Sequence, residues 1–460
     1  MQLSKRQFLA STAAALLAPG LLRASTGEIT TLTAKKSMHQ LAPDSYPETE
    51  LWSFNSTAPG PELRLPKGGR LHRRLVNGLE EGTSIHWHGI RIDNAMDGVS
   101  GLTQDAVAPG AQFDYDFTVP DAGTYWYHAH NNSMEQVARG LYGPLIVEEA
   151  ERPDIDAEHV LVLDDWRLTQ TAEIDPDFAA PHDLSHAGRM GNYIATNATF
   201  DLKKTVKQHQ RLRLRLINAS NARIFSLTLQ GLEGWIMAYD GMPLPSPERI
   251  EKEFILAPAQ RMDLFVDVIA AQGEEAYLVR LDQDKGAAQV SFVVEGQGSS
   301  VRRDTPVVLP PNADPALNDI DSANRVTMKI EGGAMGSLSS AMLDGKNVSF
   351  RDMSSAGKYW AMAGNVGMPD TPLVDAGRGE TVRISMVNES AFPHAMHLHG
   401  MHFREVMPDG SFGPLRDTYL LPGRETREIA FLADNPGKWL FHCHMLGHAA
   451  AGMMQWMRVA

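Results

Sequence analysis

Cysteine is almost missing from this chain: one thiol, Cys443, stands in 460 residues, so no disulfide can form within it. Positive charge is in deficit, with 42 Lys and Arg against 56 Asp and Glu, a net charge of -14. That balance speaks against nucleic acid and anionic membrane as partners. Beyond the N-terminus no apolar run is long enough to cross a bilayer. Helical periodicity is weak as well, and residues 171–190 read as a loop or one short helix. What remains is 43% hydrophobic with 39 Gly and 27 Pro, which suits a β-rich chain with many turns. The length predicts two or three domains.

The first residues resemble an export signal. Ser4-Lys5-Arg6-Gln7-Phe8-Leu9 follows the twin-arginine pattern with lysine in the first arginine's place. A weakly apolar stretch, 8–22, follows, and Leu22-Arg23-Ala24 offers a cleavage point. The stretch is too short and too rich in Ala, Ser and Thr for a membrane span. The expectation is a signal over residues 1–25, recognised by the twin-arginine export machinery, and a periplasmic location.

Three stretches repeat a pattern of strand, loop and strand. Each opens with an alternating run closed by asparagine (Asn77, Asn218, Asn388) and ends at glycine (Gly89, Gly231, Gly400). The first and third end His86-Trp87-His88-Gly89 and His397-Leu398-His399-Gly400, while the middle one has Leu227 and Leu229 in the histidine positions. A second pair of stretches matches too: Gly123-Thr124-Tyr125-Trp126-Tyr127-His128-Ala129-His130 and Gly437-Lys438-Trp439-Leu440-Phe441-His442-Cys443-His444. The chain therefore divides into domains at 26–150, 157–297 and 318–460. Short alternating strands punctuated by Gly and Pro predict β-sandwiches. The middle unit reads as a spacer with no metal of its own.

Ten of the 17 histidines fall in four motifs: His86/His88, His128/His130, His394/His397/His399 and His442/His444/His448. On a strand, residues two apart share a face and adjacent residues oppose. Four such pairs from the two ends of the chain supply eight imidazoles to one interface, enough for three copper ions with positions open to oxygen. Cys443 faces the other way from His442 and His444. With His394, His448 and Met453 it completes the thiolate, imidazole and weak thioether set of a blue copper centre. The seven remaining histidines read as ordinary residues, with His402 near enough to a motif to support one.

These four motifs, in this order, resemble the three-domain multicopper oxidases, the family of laccases and bacterial cuprous oxidases, over roughly residues 40–460. The resemblance implies an all-β fold of three cupredoxin-like Greek-key β-sandwich domains and four coppers per chain. His394, Cys443, His448 and Met453 would hold the type 1 copper, and His86 and His397 the type 2 copper. His88, His128 and His444 would hold one type 3 copper, and His130, His399 and His442 the other. Electrons would run from a reductant through the outer edge of His394 or His448, along Cys443 to His442 and His444, and on to dioxygen. Asp97, after the first pair, matches an acid that assists proton delivery in similar enzymes. Ala449 replaces a glutamate that some bacterial relatives carry after the last type 1 histidine, which leaves a second proton donor unassigned.

The reducing substrate is open between a phenol, an aromatic amine and a low-valent metal ion. Methionine is concentrated late, 14 of 22 at or beyond Met328. Thioethers suit Cu(I), so a periplasmic cuprous oxidase is the alternative, although methionine also fills sandwich cores. Asp409 and Asp417 are candidates to anchor a substrate near His394. A nitrite reductase would have two domains and no need of eight imidazoles. A metal-free scaffold of the same fold would have lost ligands, and a copper-storage protein would take up no oxygen.

Overall fold

The structure, a computed structural model, describes residues 29–283, 285–318 and 320–460. The export signal read in residues 1–25 lies outside the described residues. Within them no helix is long and apolar enough to cross a membrane.

Strands far outnumber helices in the described chain and are laid out as three two-sheet units. In the first, strands Thr49–Phe54, Thr30–His39, Arg70–Asn77 and Gln112–Thr118 form one sheet. Leu63–Pro66, Tyr142–Glu148, Gly123–Ala129 and Ile85–His88 form the other. The third unit repeats this plan. Its inner sheet runs Val374–Ala376, Met454–Val459, Gly437–Cys443, His394–Leu398 and Thr418–Leu421. The middle unit pairs a six-stranded sheet with a five-stranded one; Leu227 is buried in the apolar core between them and Leu229, partly buried, packs against it. Full burial of Leu227 adds about 1.5–3 kcal/mol where the terminal units place imidazole.

The repeated asparagine has one job in all three units. Its Oδ1 accepts the backbone N–H two residues on: Leu79 at 2.9 Å, Ser220 at 3.0 Å and Ser390 at 3.0 Å. Its Nδ2 donates to two carbonyls, one in the following loop and one on a distant segment: Glu81 and Val107, Arg223 and Leu256, Phe392 and Pro422. A buried amide that satisfies three backbone groups fixes the loop leading into the next strand. In the terminal units that strand carries histidines.

Register then sets the histidines opposite one another. His86 pairs with His128 across the first unit's sheet, and His397 with His442 across the third's. A fourth apolar cluster ties the units together, with Trp126 and Tyr142 from the first, Val162, Trp166 and Ile217 from the middle and Leu446 from the third.

Two features tie the middle unit closely to its neighbours. Arg211, Arg213 and Arg215 alternate with leucine along one strand, yet all three are buried. They pair with Asp267, Asp263, Glu149 and Glu158, so the charged face of this strand is an internal seam and not a solvated one. The stretch 171–190 forms the short helix Pro181–Ser185, and Leu184 on it packs into the third unit's core beside Cys443 and Met453.

Candidate metal centres

The pleat of Gly437–Cys443 divides three consecutive side chains between two places. Cys443 Sγ lies 3.8 Å from His394 Nδ1 and 3.8 Å from His448 Nδ1, and those two nitrogens are 3.1 Å apart. On the opposite side, His442 Nε2 meets His399 Nε2 at 3.2 Å and His444 Nε2 meets His128 Nε2 at 3.4 Å. Met453 is buried in the same core as Cys443 and accepts the Cys443 backbone N–H through its carbonyl at 3.2 Å.

Four of the imidazoles that converge between the terminal units are oriented by a backbone carbonyl at Nδ1. His86 Nδ1–H donates to the Asp97 carbonyl at 2.8 Å and His397 Nδ1–H to that of Asp417 at 3.0 Å. His128 and His442 donate to Ala129 and Cys443 at 3.0 Å each. Such a bond fixes the tautomer and turns the Nε2 lone pair inward. His399 Nδ1 is held by the Asp97 carboxylate, 3.1 Å from both oxygens. Asp97 is itself buried, and its Oδ1 stands 3.2 Å from His86 Nδ1. One acid thus aligns an imidazole from each terminal unit.

A metal set fits the donors that remain. His86 Nε2, His88 Nδ1, His130 Nε2, His397 Nε2 and His444 Nδ1 are buried with no hydrogen-bond partner in the protein. Unpaired buried polar atoms are costly, and five of them facing one interface suit cations. Burial first, and repulsion from neighbouring imidazoles second, hold His128, His399, His442 and His444 well below the usual histidine range. Neutral imidazole is the form that ligates. Burial pushes the Cys443 thiol up to about 12. Only a coordinating cation would draw it to thiolate here.

Nearest-neighbour geometry groups His130 with His399 and His442, and His394 with Cys443 and His448. His88 sits differently from the family pattern. Its Nε2 lies 3.2 Å from Asp417 Oδ1, and it groups with His397 and Asp417 or with His86 and His128. Its ring is still 5.0 Å from that of His444 and 5.6 Å from that of His128.

Asp417 is therefore not a surface anchor beside His394. It is buried behind the histidine cluster and held by both arms of Arg261, at 2.9 and 2.5 Å. Burial works against its charge, but Arg261, His397 and His88 overturn this and keep the carboxyl well below its ordinary range. Arg261 belongs to the middle unit, and its Nε also donates to the Thr124 carbonyl of the first at 3.3 Å. A second acid, Asp240, accepts the Asp417 and Thr418 backbone N–H groups at 3.3 and 3.1 Å. Burial, then the charge of Asp417, raise Asp240 to about 6. His402 is buried too, with Nε2 3.7 Å from Asp417 Oδ2. Gly89 is the residue that lets this network close: it has φ +85°, and a Cβ there would stand 2.2 Å from Arg261 Nη2. Asp409 is exposed, and its carboxylate accepts from the Ser411 N–H and hydroxyl.

The outer edges of His394 and His448 are not open to a reductant. Both rings are fully buried. His394 Nε2 is 2.9 Å from Ser390 Oγ, and His448 Nε2–H donates to the His186 carbonyl at 2.7 Å. Sequence reasoning set His186 aside as ordinary, because a backbone acceptor leaves no residue signature. Among the late methionines, Met328, Met353, Met362, Met386, Met396, Met401, Met445, Met453 and Met457 are buried, whereas Met335, Met342, Met368 and Met407 are exposed.

Multicopper oxidase family models match residues 35–152, 158–297 and 343–460. A multicopper oxidase of Mycobacterium tuberculosis is 30% identical over 436 residues, covering 87% of this chain and 81% of its own. The crystal structure of Lac15 from a marine microbial metagenome is 40% identical, with TM-score 0.77, covering 94% of this chain and all (100%) of that one. A multicopper oxidase from Pseudomonas thermotolerans is 32% identical with TM-score 0.80, covering 94% of this chain and 99% of its own.

Proposed function

The chain belongs to the multicopper oxidases, copper-binding oxidoreductases built from cupredoxin-like sandwiches, and on that premise we propose that it couples one-electron oxidations of a phenolic or other small aromatic reductant to reduction of dioxygen to water. Copper ions bound here would accept electrons singly and pass four of them to dioxygen. His394, Cys443, His448 and Met453 would hold the type 1 ion, and His86 and His397 the type 2. His88, His128 and His444 would hold one type 3 ion, with His130, His399 and His442 holding the other. Periplasmic export through the twin-arginine route belongs to the same reading.

One observation carries it: three consecutive residues, His442, Cys443 and His444, send their side chains to two separate donor clusters. The covalent link between those clusters runs from Cys443 Sγ through its Cβ and Cα and one peptide unit on either side to the imidazoles of His442 and His444. The bond from His442 Nδ1–H to the Cys443 carbonyl shortens it further. Asp97 would serve as a proton carrier as well as an aligner, since its carboxylate touches imidazoles from both terminal units.

Copper loading followed by oxygen-electrode turnover tests the reading. The loaded chain should hold about four coppers, show an intense thiolate-to-copper absorption and consume oxygen with a phenolic dye. Blue protein that takes up no oxygen would exclude it. Asp97→Asn should slow oxygen uptake while anaerobic bleaching of the blue band by reductant proceeds at its normal rate; equal slowing of both steps removes the proton-carrier role. Met453→Leu should raise the reduction potential of the blue band without loss of copper, because the weak axial donor tunes the site and does not anchor it. An unchanged potential strikes Met453 from the ligand set.

A second reading has one observation of its own. Met335, Met342, Met368 and Met407 present thioethers on the third unit's surface, and thioethers favour Cu(I). Steady-state oxidation of cuprous ion at higher kcat/KM than any phenol would establish it over the first.

A further inference from the structure

With both type 1 imidazoles buried, a reductant must deliver its electron through whatever covers them, and the cover is the middle unit's segment 180–187. His448 Nε2–H reaches the His186 carbonyl at 2.7 Å, and Trp360 Nε1–H reaches the Leu184 carbonyl at 2.7 Å. The third unit holds the segment from outside through the Ala334 N–H, 2.7 Å from the Ser185 carbonyl. The rings above it are continuous with those below. His182, exposed at the surface, stacks on His186 at 4.1 Å and 13°. His186 stands edge-on to Phe392 at 5.7 Å, and Phe392 to Trp360 at 6.1 Å. Trp360 lies 4.6 Å from His448 and 5.0 Å from His394.

We infer that the His182–His186 stack is the electron port of this oxidase and that a planar aromatic reductant docks on its outer face. This deepens the proposed function and rests on it. A one-electron oxidation there removes an electron from the phenol and, with it, the hydroxyl proton, which leaves to water. The electron would pass inward along the His186 carbonyl and the imidazole of His448 to the oxidised type 1 copper that His448 would hold, the one-electron oxidant of the proposed function. The stack already presents a flat π-face in continuation of a ring series, and offset stacking is the geometry aromatic pairs prefer. A cation is served less well. The segment's own carboxylate, Asp183, is committed to Arg167 at 2.5 and 3.0 Å. His186 Nδ1 is occupied by the His182 carbonyl at 3.1 Å and Ser185 Oγ at 3.0 Å. The neighbouring exposed thioether of Met335 makes a cuprous ion the rival occupant.

Two double variants of the copper-loaded chain separate these. In His182→Ala/His186→Ala the His186 carbonyl remains, so the blue absorption, its potential and the copper content should hold. KM for a methoxyphenol should rise, and anaerobic bleaching by it slow, by roughly two- to tenfold, the scale of one lost aromatic contact. In His182→Phe/His186→Phe the π-face survives and most of the phenol's affinity should return. Unaltered phenol kinetics in the alanine pair overturn the port. A phenylalanine pair as impaired as the alanine pair overturns the stacking occupant in favour of a chelated ion. Independently of turnover, titrating the metal-free chain with the methoxyphenol should shift the ring proton resonances of His182 and His186; silence there overturns the proposal. A chain that never turns blue defeats the oxidase reading, and the metal-free titration still decides whether the face binds aromatics.

Discussion

Cys443→Ser is expected to yield a folded, colourless protein with oxygen uptake at background, the largest functional loss of any single substitution in the chain. Serine is nearly isosteric, and Cys443 sits in a fully buried core position where its backbone N–H is already bonded to Met453. The fold therefore loses little. The hydroxyl cannot supply the polarisable, easily deprotonated donor that a blue centre requires. Between the two donor clusters the covalent link would persist, but its outer end would hold no electron acceptor. Copper content should fall by about one ion per chain while the type 2 and type 3 ions stay, a pattern that electron paramagnetic resonance resolves. Retained turnover with a phenolic reductant would falsify the assignment of Cys443 as the sole conduit.

Arg261→Leu is expected to cost the most stability. Removing the guanidinium leaves Asp417 and Asp240 buried with their charges uncompensated, and breaking a buried pair this way costs about 3–5 kcal/mol. Burial opposes the charge of Arg261, yet Asp417 and Asp240 overcome it and raise its pKa further. The arginine is therefore charged at any working pH, and its loss is felt at neutral pH in full. The midpoint of thermal unfolding of the metal-free chain should drop sharply. Copper retention at the trinuclear positions should weaken by roughly 10–100-fold, as for other residues that orient ligands. The cluster of His394, Cys443 and His448 lies on the far side of the strand and should keep its affinity for copper. A variant of normal stability, or one that loses type 1 copper first, contradicts this placement.

Much of this was legible in sequence, and the boundary of legibility has a physical cause. Periodicity two on a strand is local, so His86/His88, His128/His130, His397/His399 and the split around Cys443 could be read without coordinates. The asparagine repeat was visible as spacing. Its reason, three backbone groups satisfied by one amide, was not. Asp240 and Arg261 escaped, and Asp417 was read as a substrate anchor, because the three come from two units and their meeting depends on how those units pack. Arg211, Arg213 and Arg215 alternate with leucine along one strand, and their carboxylate partners lie far away in sequence, so their pairing across a seam carries no local signal. His186 escaped for a different reason, since it acts through a carbonyl that every residue possesses.

The sharing of imidazoles between the terminal units has a consequence for how the protein matures. His86 and His128 lie on one sandwich, His397 and His442 on another, so neither half alone brings the converging imidazoles together. If they hold copper as proposed, its capture there comes after Gly437–Cys443 has docked. Colour and oxygen uptake become a readout of finished assembly, and a chain stalled or clipped before Gly437 would stay pale however well its first half had folded.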